Sequence, residues 1–193
     1  MNTADKSWFT MPATIAVFTM SALLAGCADI IEATTKADPG GDAARVRFRL
    51  AEPGLVYIRE AFATPCFYST DATTGRIADL SYNTQAIRWI VEQRLDRIGM
   101  PGGEAYSSIS YTEARVRAGK PVAIRLMEIV GNGNIPRYAQ WTLTLEPGKD
   151  YEMLLSKGLG SVSMSQIVSG EGKSQLVPLD NAVRTPYCQG QRS

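Results

Sequence analysis

The residues best placed to do chemistry in this 193-residue chain are arginines. Arg45, Arg47 and Arg49 recur at every second position. On a strand, that spacing projects three guanidinium groups from one face over roughly 13 Å. Guanidinium suits bidentate oxyanion recognition, so the stripe is a candidate site for phosphate, acidic glycan or lipopolysaccharide. The simpler reading is a solvated outer face, paired across strands with residues such as Glu113 or Glu60. Other chemistry is poorly supplied. The chain has no histidine, which removes Ser-His-Asp and Cys-His catalysis, His-ligated metals and the commonest general base. Asp38 and Asp42 are too few oxygens for a calcium loop. The run Gly131-Asn132-Gly133-Asn134 lacks the helix and Lys of a phosphate cradle and reads as a hairpin loop. Ser156-Lys157 and Lys173-Ser174 are neighbours in turns, not a Ser-Lys pair. A hydrolase working through two carboxylates is the remaining enzymatic option. No acid pair stands out, so no enzyme, metal or cofactor is expected.

Charge narrows the partners. Twenty Lys and Arg face 19 Asp and Glu, a formal net charge of +1. Such a chain has no electrostatic footprint for nucleic acid. With 45% hydrophobic and 20% charged residues the composition is globular, and the length allows one domain with a small appendage.

The appendage is the N-terminus. No charged side chain occurs from Ser7 to Ala28, and an apolar run from Trp8 to Leu24 follows Lys6 and Asp5. It closes on small residues, as an export signal does. The closing Leu24-Ala25-Gly26-Cys27 resembles the lipobox of bacterial lipoproteins. The resemblance implies a signal peptide over 1–26, cleavage before Cys27, a diacylglyceryl thioether on its sulfur and an acylated amino group. Several acyl chains hold a protein on a membrane effectively for good. An uncleaved transmembrane helix is the alternative, weakened by Pro12 and by the Thr and Ser residues of the run. Ala28 follows the cysteine where lipoproteins kept in the inner membrane often have Asp, so the periplasmic face of the outer membrane is expected. With Cys27, residues 28–43 read as a tether ending in Asp38-Pro39-Gly40-Gly41-Asp42. Sixteen flexible residues reach roughly 20–24 Å.

With Cys27 assigned to lipid, Cys66 and Cys188 remain. In an oxidising compartment they are expected to pair, which would set an early strand beside the extreme C-terminus. Two free thiols or a redox pair are the alternatives, although no C-x-x-C occurs.

The elements that must position these residues read as strands. Residues 44–50 alternate without error, with Val46, Phe48 and Leu50 opposite the arginines. Residues 55–58 start a second strand. Further strands are read over 111–118, 122–126, 138–145, 151–155, 162–168 and 175–179, where Pro178 suggests a sheet edge. Trp141 falls on an inner face. Glu52-Pro53-Gly54, Ala118-Gly119-Lys120 and Glu146-Pro147-Gly148 are turn signals, Pro-Gly suiting a type II turn. One segment departs from this. Ile87, Ile90, Val91, Leu95 and Ile98 share one helical face, and Gly99 with Pro101 would stop the helix. Arg94 lies within that face, and Trp89 points away from it as a candidate partner contact. The prediction is a mainly β fold: an antiparallel β-sandwich over 44–193 with one inserted α-helix at about 84–98, preceded by a signal-peptide helix. In texture, residues 44–180 resemble the immunoglobulin-like or transthyretin-like sandwiches of envelope lipoproteins. The function expected is a membrane-anchored envelope protein that binds, scaffolds or assembles another envelope component. An anionic-ligand module using the Arg stripe is the alternative.

Overall fold

The structure, a computed structural model, describes residues 37, 39–52, 54–82, 96–106, 111–130, 135–170 and 173–189. Its strands are β1 (Ala43–Leu50), β2 (Gly54–Ala61), β3 (Thr73–Tyr82), β4 (Tyr111–Arg117), β5 (Pro121–Val130), β6 (Ile135–Thr144), β7 (Asp150–Leu155), β8 (Val162–Gly170), β9 (Lys173–Leu179) and β10 (Ala182–Thr185). They form two five-stranded sheets, ordered β4-β1-β7-β8-β9 and β10-β6-β5-β2-β3. Every pairing is antiparallel except β1 with β7.

Period-two alternation explains the sandwich. Val46 and Phe48 of β1 and Tyr151, Met153 and Leu155 of β7 supply one inner face. Val56 and Ile58, Ile124 and Leu126, and Trp141 and Leu143 supply the other. Phe48, Ile58, Ile124, Leu126 and Met153 are wholly excluded from water. Burying such a side chain contributes about 1.5–3 kcal/mol, so this shared interior is the main force holding the sheets together.

Two turns tie the start of β1 to the sandwich. Ala118 N–H donates to the Asp42 carbonyl at 2.9 Å, and Gly148 N–H to that of Ala43 at 2.8 Å. The Glu146–Lys149 turn closes with a 3.3 Å bond from Lys149 N–H to Glu146 O. Gly148 at its third position has φ +73°, as a type II turn requires. Gly54 behaves differently from the sequence expectation. It is absent from the left-handed glycines and is instead the first residue of β2.

Two strands lie where none was predicted, β3 and β10. The predicted helix over 84–98 falls mostly outside the described residues, and so does Arg94. Of its last turn, Asp96 and Ile98 are described and are not helical. Asp96 O accepts the Glu113 N–H at 2.9 Å, so the chain here runs along β4 as a strap. Among the described residues no helix is long and apolar enough to cross a membrane.

The cysteine pairing is present. Cys66 and Cys188 are joined across 122 positions. Around them Phe67 N–H donates to Pro186 O and Cys188 N–H to Phe67 O, while Phe67 stacks on Tyr187 at 4.5 Å. The segment after β2 thus lies beside the C-terminus, as the cysteine count implied. The clasp covers the outer face of the second sheet. Beneath it Arg125 is 4% exposed. It donates to Gln140 Oε1 and Asp71 O, and faces the Phe67 ring at 5.3 Å.

Candidate functional site

The arginine stripe stands on β1, between β4 and β7. Register decides what each guanidinium meets. Arg47 lies opposite Glu113 on one side and Glu152 on the other, and Arg45 lies opposite Asp150. Arg45 and Arg47 are therefore answered by carboxylates at their own level of the sheet, while Arg49 faces Tyr111 and Leu154.

Arg47 is not on a solvated face; it is 1% exposed. Its Nε and Nη2 donate to Glu113 Oε1 at 3.2 and 3.0 Å. Nη2 also donates to the carbonyls of Met100 and Pro101 at 2.9 and 2.8 Å. Nη1 sits 3.6 Å from Glu152 Oε2. The second oxygen of Glu113 accepts Ile98 N–H at 2.9 Å and Met100 N–H at 3.2 Å. One ion pair thus fastens the strap over 96–106 to the sheet. The predicted solvated face is corrected here. Arg45, Arg47 and Arg49 do share one face of β1, but a sheet face does not reveal what later chain folds over it.

Arg49 donates to Glu152 Oε1 at 2.8 Å and lies 3.7 Å over the Tyr106 ring. Arg97 lies 3.7 Å over Tyr111, and Tyr106 meets Tyr111 edge-on. The tyrosine pair is thus flanked by Arg49 and Arg97, with Arg47 at 5.5 and 5.3 Å from the two rings, and cations are attracted to ring faces. Burial, then the nearby Glu152 charge, raises the Tyr106 hydroxyl above its ordinary pKa. It stays protonated and points at Glu152 Oε1, 3.4 Å away.

Arg45 is the outermost member, with its side chain 38% exposed. Its Nε and Nη2 grip Asp150 at 2.6 and 2.5 Å. That hydrogen bonding raises the Arg45 pKa further, against the opposing effect of burial. Glu60, expected as a stripe partner, lies in the other sheet and meets Arg117 at 3.3 Å.

Three cations meeting three carboxylates leave the stripe electrically balanced. The imbalance lies one strand away. Arg115 is directly opposite Arg45 in the β1–β4 register and is exposed. With Ala43 and Gly148 the two arginines line a shallow pocket of about 290 Å³. A larger hollow of about 480 Å³ lies between Pro101, Gly102 and Glu104 of the strap and Ser169, Gly170, Lys173 and Ser174 of the β8–β9 hairpin. Arg115 gives no site signal in the sequence, because antiparallel register cannot be read from one strand.

The carboxylates that the fold brings together, Glu113 and Glu152, are sealed against Arg47. Among the described residues no group of His, Cys, Asp and Glu could hold a metal ion. Cys27 and Trp89 lie outside the described residues. Comparison with protein-family models found no match, and comparison with curated proteins found none either.

Proposed function

We propose that the chain is a membrane-anchored envelope lipoprotein with a non-enzymatic binding, scaffolding or assembly role. The observation that carries this reading is Leu24-Ala25-Gly26-Cys27 at the end of an uncharged apolar run. The Cys66–Cys188 bridge supports it, since structural disulfides persist in oxidising compartments. The lack of histidine and the ion pairs that hold the buried Glu113 and Glu152 favour binding over catalysis. The working principle is effective concentration. An anchor and short tether confine the domain to a thin layer, where modest contacts with another envelope protein suffice.

Mass spectrometry of the membrane-extracted mature protein tests the anchor. The expected product begins at Cys27 and carries the mass of its acyl chains. An unmodified chain beginning at Met1 overturns the reading. For the protein partner, Trp89 is the proposed contact. Capture of one specific envelope protein should be lost in Trp89→Ala.

A further inference from the structure

The end of the sandwich where β1 begins holds an arginine, Arg115, that has no ion-pair partner among the described residues. Arg115 faces Arg45 across the β1–β4 register, and like charges directly opposite each other repel. Asp150 answers Arg45 with two hydrogen bonds. Among the described residues no carboxylate answers Arg115. The pocket between them opens beside Gly148, where an added side chain would meet nothing within 4 Å. An oxyanion there would offset the repulsion and gain the bidentate fork of Arg115, since Asp150 already takes Nε and Nη2 of Arg45.

Position adds the second argument. The pocket lies at the first residues of β1, where Ala43 O accepts Gly148 N–H and Lys149 O accepts Arg45 N–H. Ala37 already touches the fold, its N–H donating to Arg76 O at 2.7 Å, and only residues 28–36 separate it from Cys27. Lys120 and Lys149 are exposed at the same end, and so are Asp42 and Glu146. This end is thus not a uniformly basic surface, and recognition falls to the arginine pair.

We propose that the Arg45–Arg115 pocket takes the phosphate of an anionic phospholipid headgroup and so docks this end of the domain on the bilayer. The proposal rests on the anchor reading. Confinement by the anchor supplies the concentration that so shallow a site needs.

The test uses the membrane-extracted protein reconstituted into vesicles of phosphatidylcholine alone or with phosphatidylglycerol. Dicarbonyl labelling of arginines is read by mass spectrometry. Arg137, exposed near the start of β6 at the far end of the sandwich, is the internal reference. Phosphatidylglycerol should slow Arg115 labelling about fivefold relative to Arg137, and high salt should restore it. In Arg115→Ser, protection of Arg45 should fall. Equal Arg115 labelling on both vesicles overturns the proposal. Equal protection by inorganic phosphate on phosphatidylcholine vesicles also overturns it, since a free anion is then the ligand. Flotation separates the two readings. Protein that floats without protection keeps the anchor and loses the docking. Protein that does not float loses the anchor, and added phosphatidylglycerol vesicles then still test the pocket.

Discussion

Replacing Arg47 by Met asks whether the strap over 96–106 is held by charge or by packing. Methionine fills much of the arginine's volume but supplies no cation. Glu113, with its side chain 2% exposed, would then stay buried with its counter-charge gone, while Glu152 keeps only Arg49 at 2.8 Å. Removing one partner of a buried pair costs about 3–5 kcal/mol, mostly through the charge left behind. The carbonyls of Met100 and Pro101 lose their donor as well. Against a total stability of about 5–15 kcal/mol, this is a large fraction. With a urea dependence of about 2 kcal/mol per molar, the midpoint should fall by about 2 M. The local readout is trypsin cleavage after Arg97, which in the intact protein lies over Tyr111. Cleavage there should accelerate in Arg47→Met. Glu113→Gln should cost less in that background than alone, because the pair it would break is already gone. A midpoint shift under about 0.5 M with Arg97 still protected would refute the reasoning and make the strap's apolar contacts its real fastening.

Other perturbations give separate outcomes. Cys66→Ser with Cys188→Ser opens a loop closed across 122 positions, and calorimetry should register a loss of up to about 5 kcal/mol. Gly102 has φ +77°, and a Cβ there would run into Ser174 Oγ, whereas Gly148 has φ +73° and open space. Gly102→Ala should therefore lose about 1–3 kcal/mol in denaturant titration, more than Gly148→Ala. Burial raises the Glu60 carboxyl above its ordinary 4.5, and the Arg117 charge opposes this only in part. The folded state then holds the proton more tightly than the unfolded chain, so this acid's stabilising contribution is lost as pH rises from about 4.5 through the raised value. Glu60→Gln should remove that downward slope from a plot of stability against pH, and an unchanged slope would contradict the assignment.

The strands legible in the sequence are those with one apolar face, such as β1 and β6. β3 was hidden by a bulge. Ile58 pairs with Ala78 while Arg59 pairs with Arg76, leaving Ile77 as an extra residue. Ile77 and Ala78 are both buried, and two adjacent inward residues break the alternation that marks a strand. β10 spans only Ala182–Thr185, too short for a periodic signal. On the candidate site, the sequence showed three arginines on one face but not their partners. Glu113 and Glu152 reach Arg47 only through pairings of strands far apart in the chain, one of them parallel. The strap that buries Arg47 carries no alternation that would announce it. The disulfide was legible for the opposite reason: a count of cysteines constrains long-range topology without any periodicity.

The two sheets solve one problem with different chemistry. Each has an arginine on its outer face that another segment of chain covers, Arg47 under the strap and Arg125 under the clasp. Arg47 meets two carboxylates. Arg125 meets a neutral amide and a carbonyl at hydrogen-bond distance, with the Asp71 carboxylate at 3.7 Å. Desolvation accordingly lowers the Arg125 pKa, against the raising effect of Asp71. Its cover must be held by something other than charge, and the Cys66–Cys188 bond with the Phe67–Tyr187 stack stands there. The covers should then fail independently. Reductant should expose the second sheet while Arg97 stays resistant to trypsin, and Arg47→Met should release the strap while the disulfide stays closed to thiols. If reduction freed Arg97 at the same rate as global unfolding, the covers would be one cooperative unit, and the division between a charge-held and a bond-held face would be wrong.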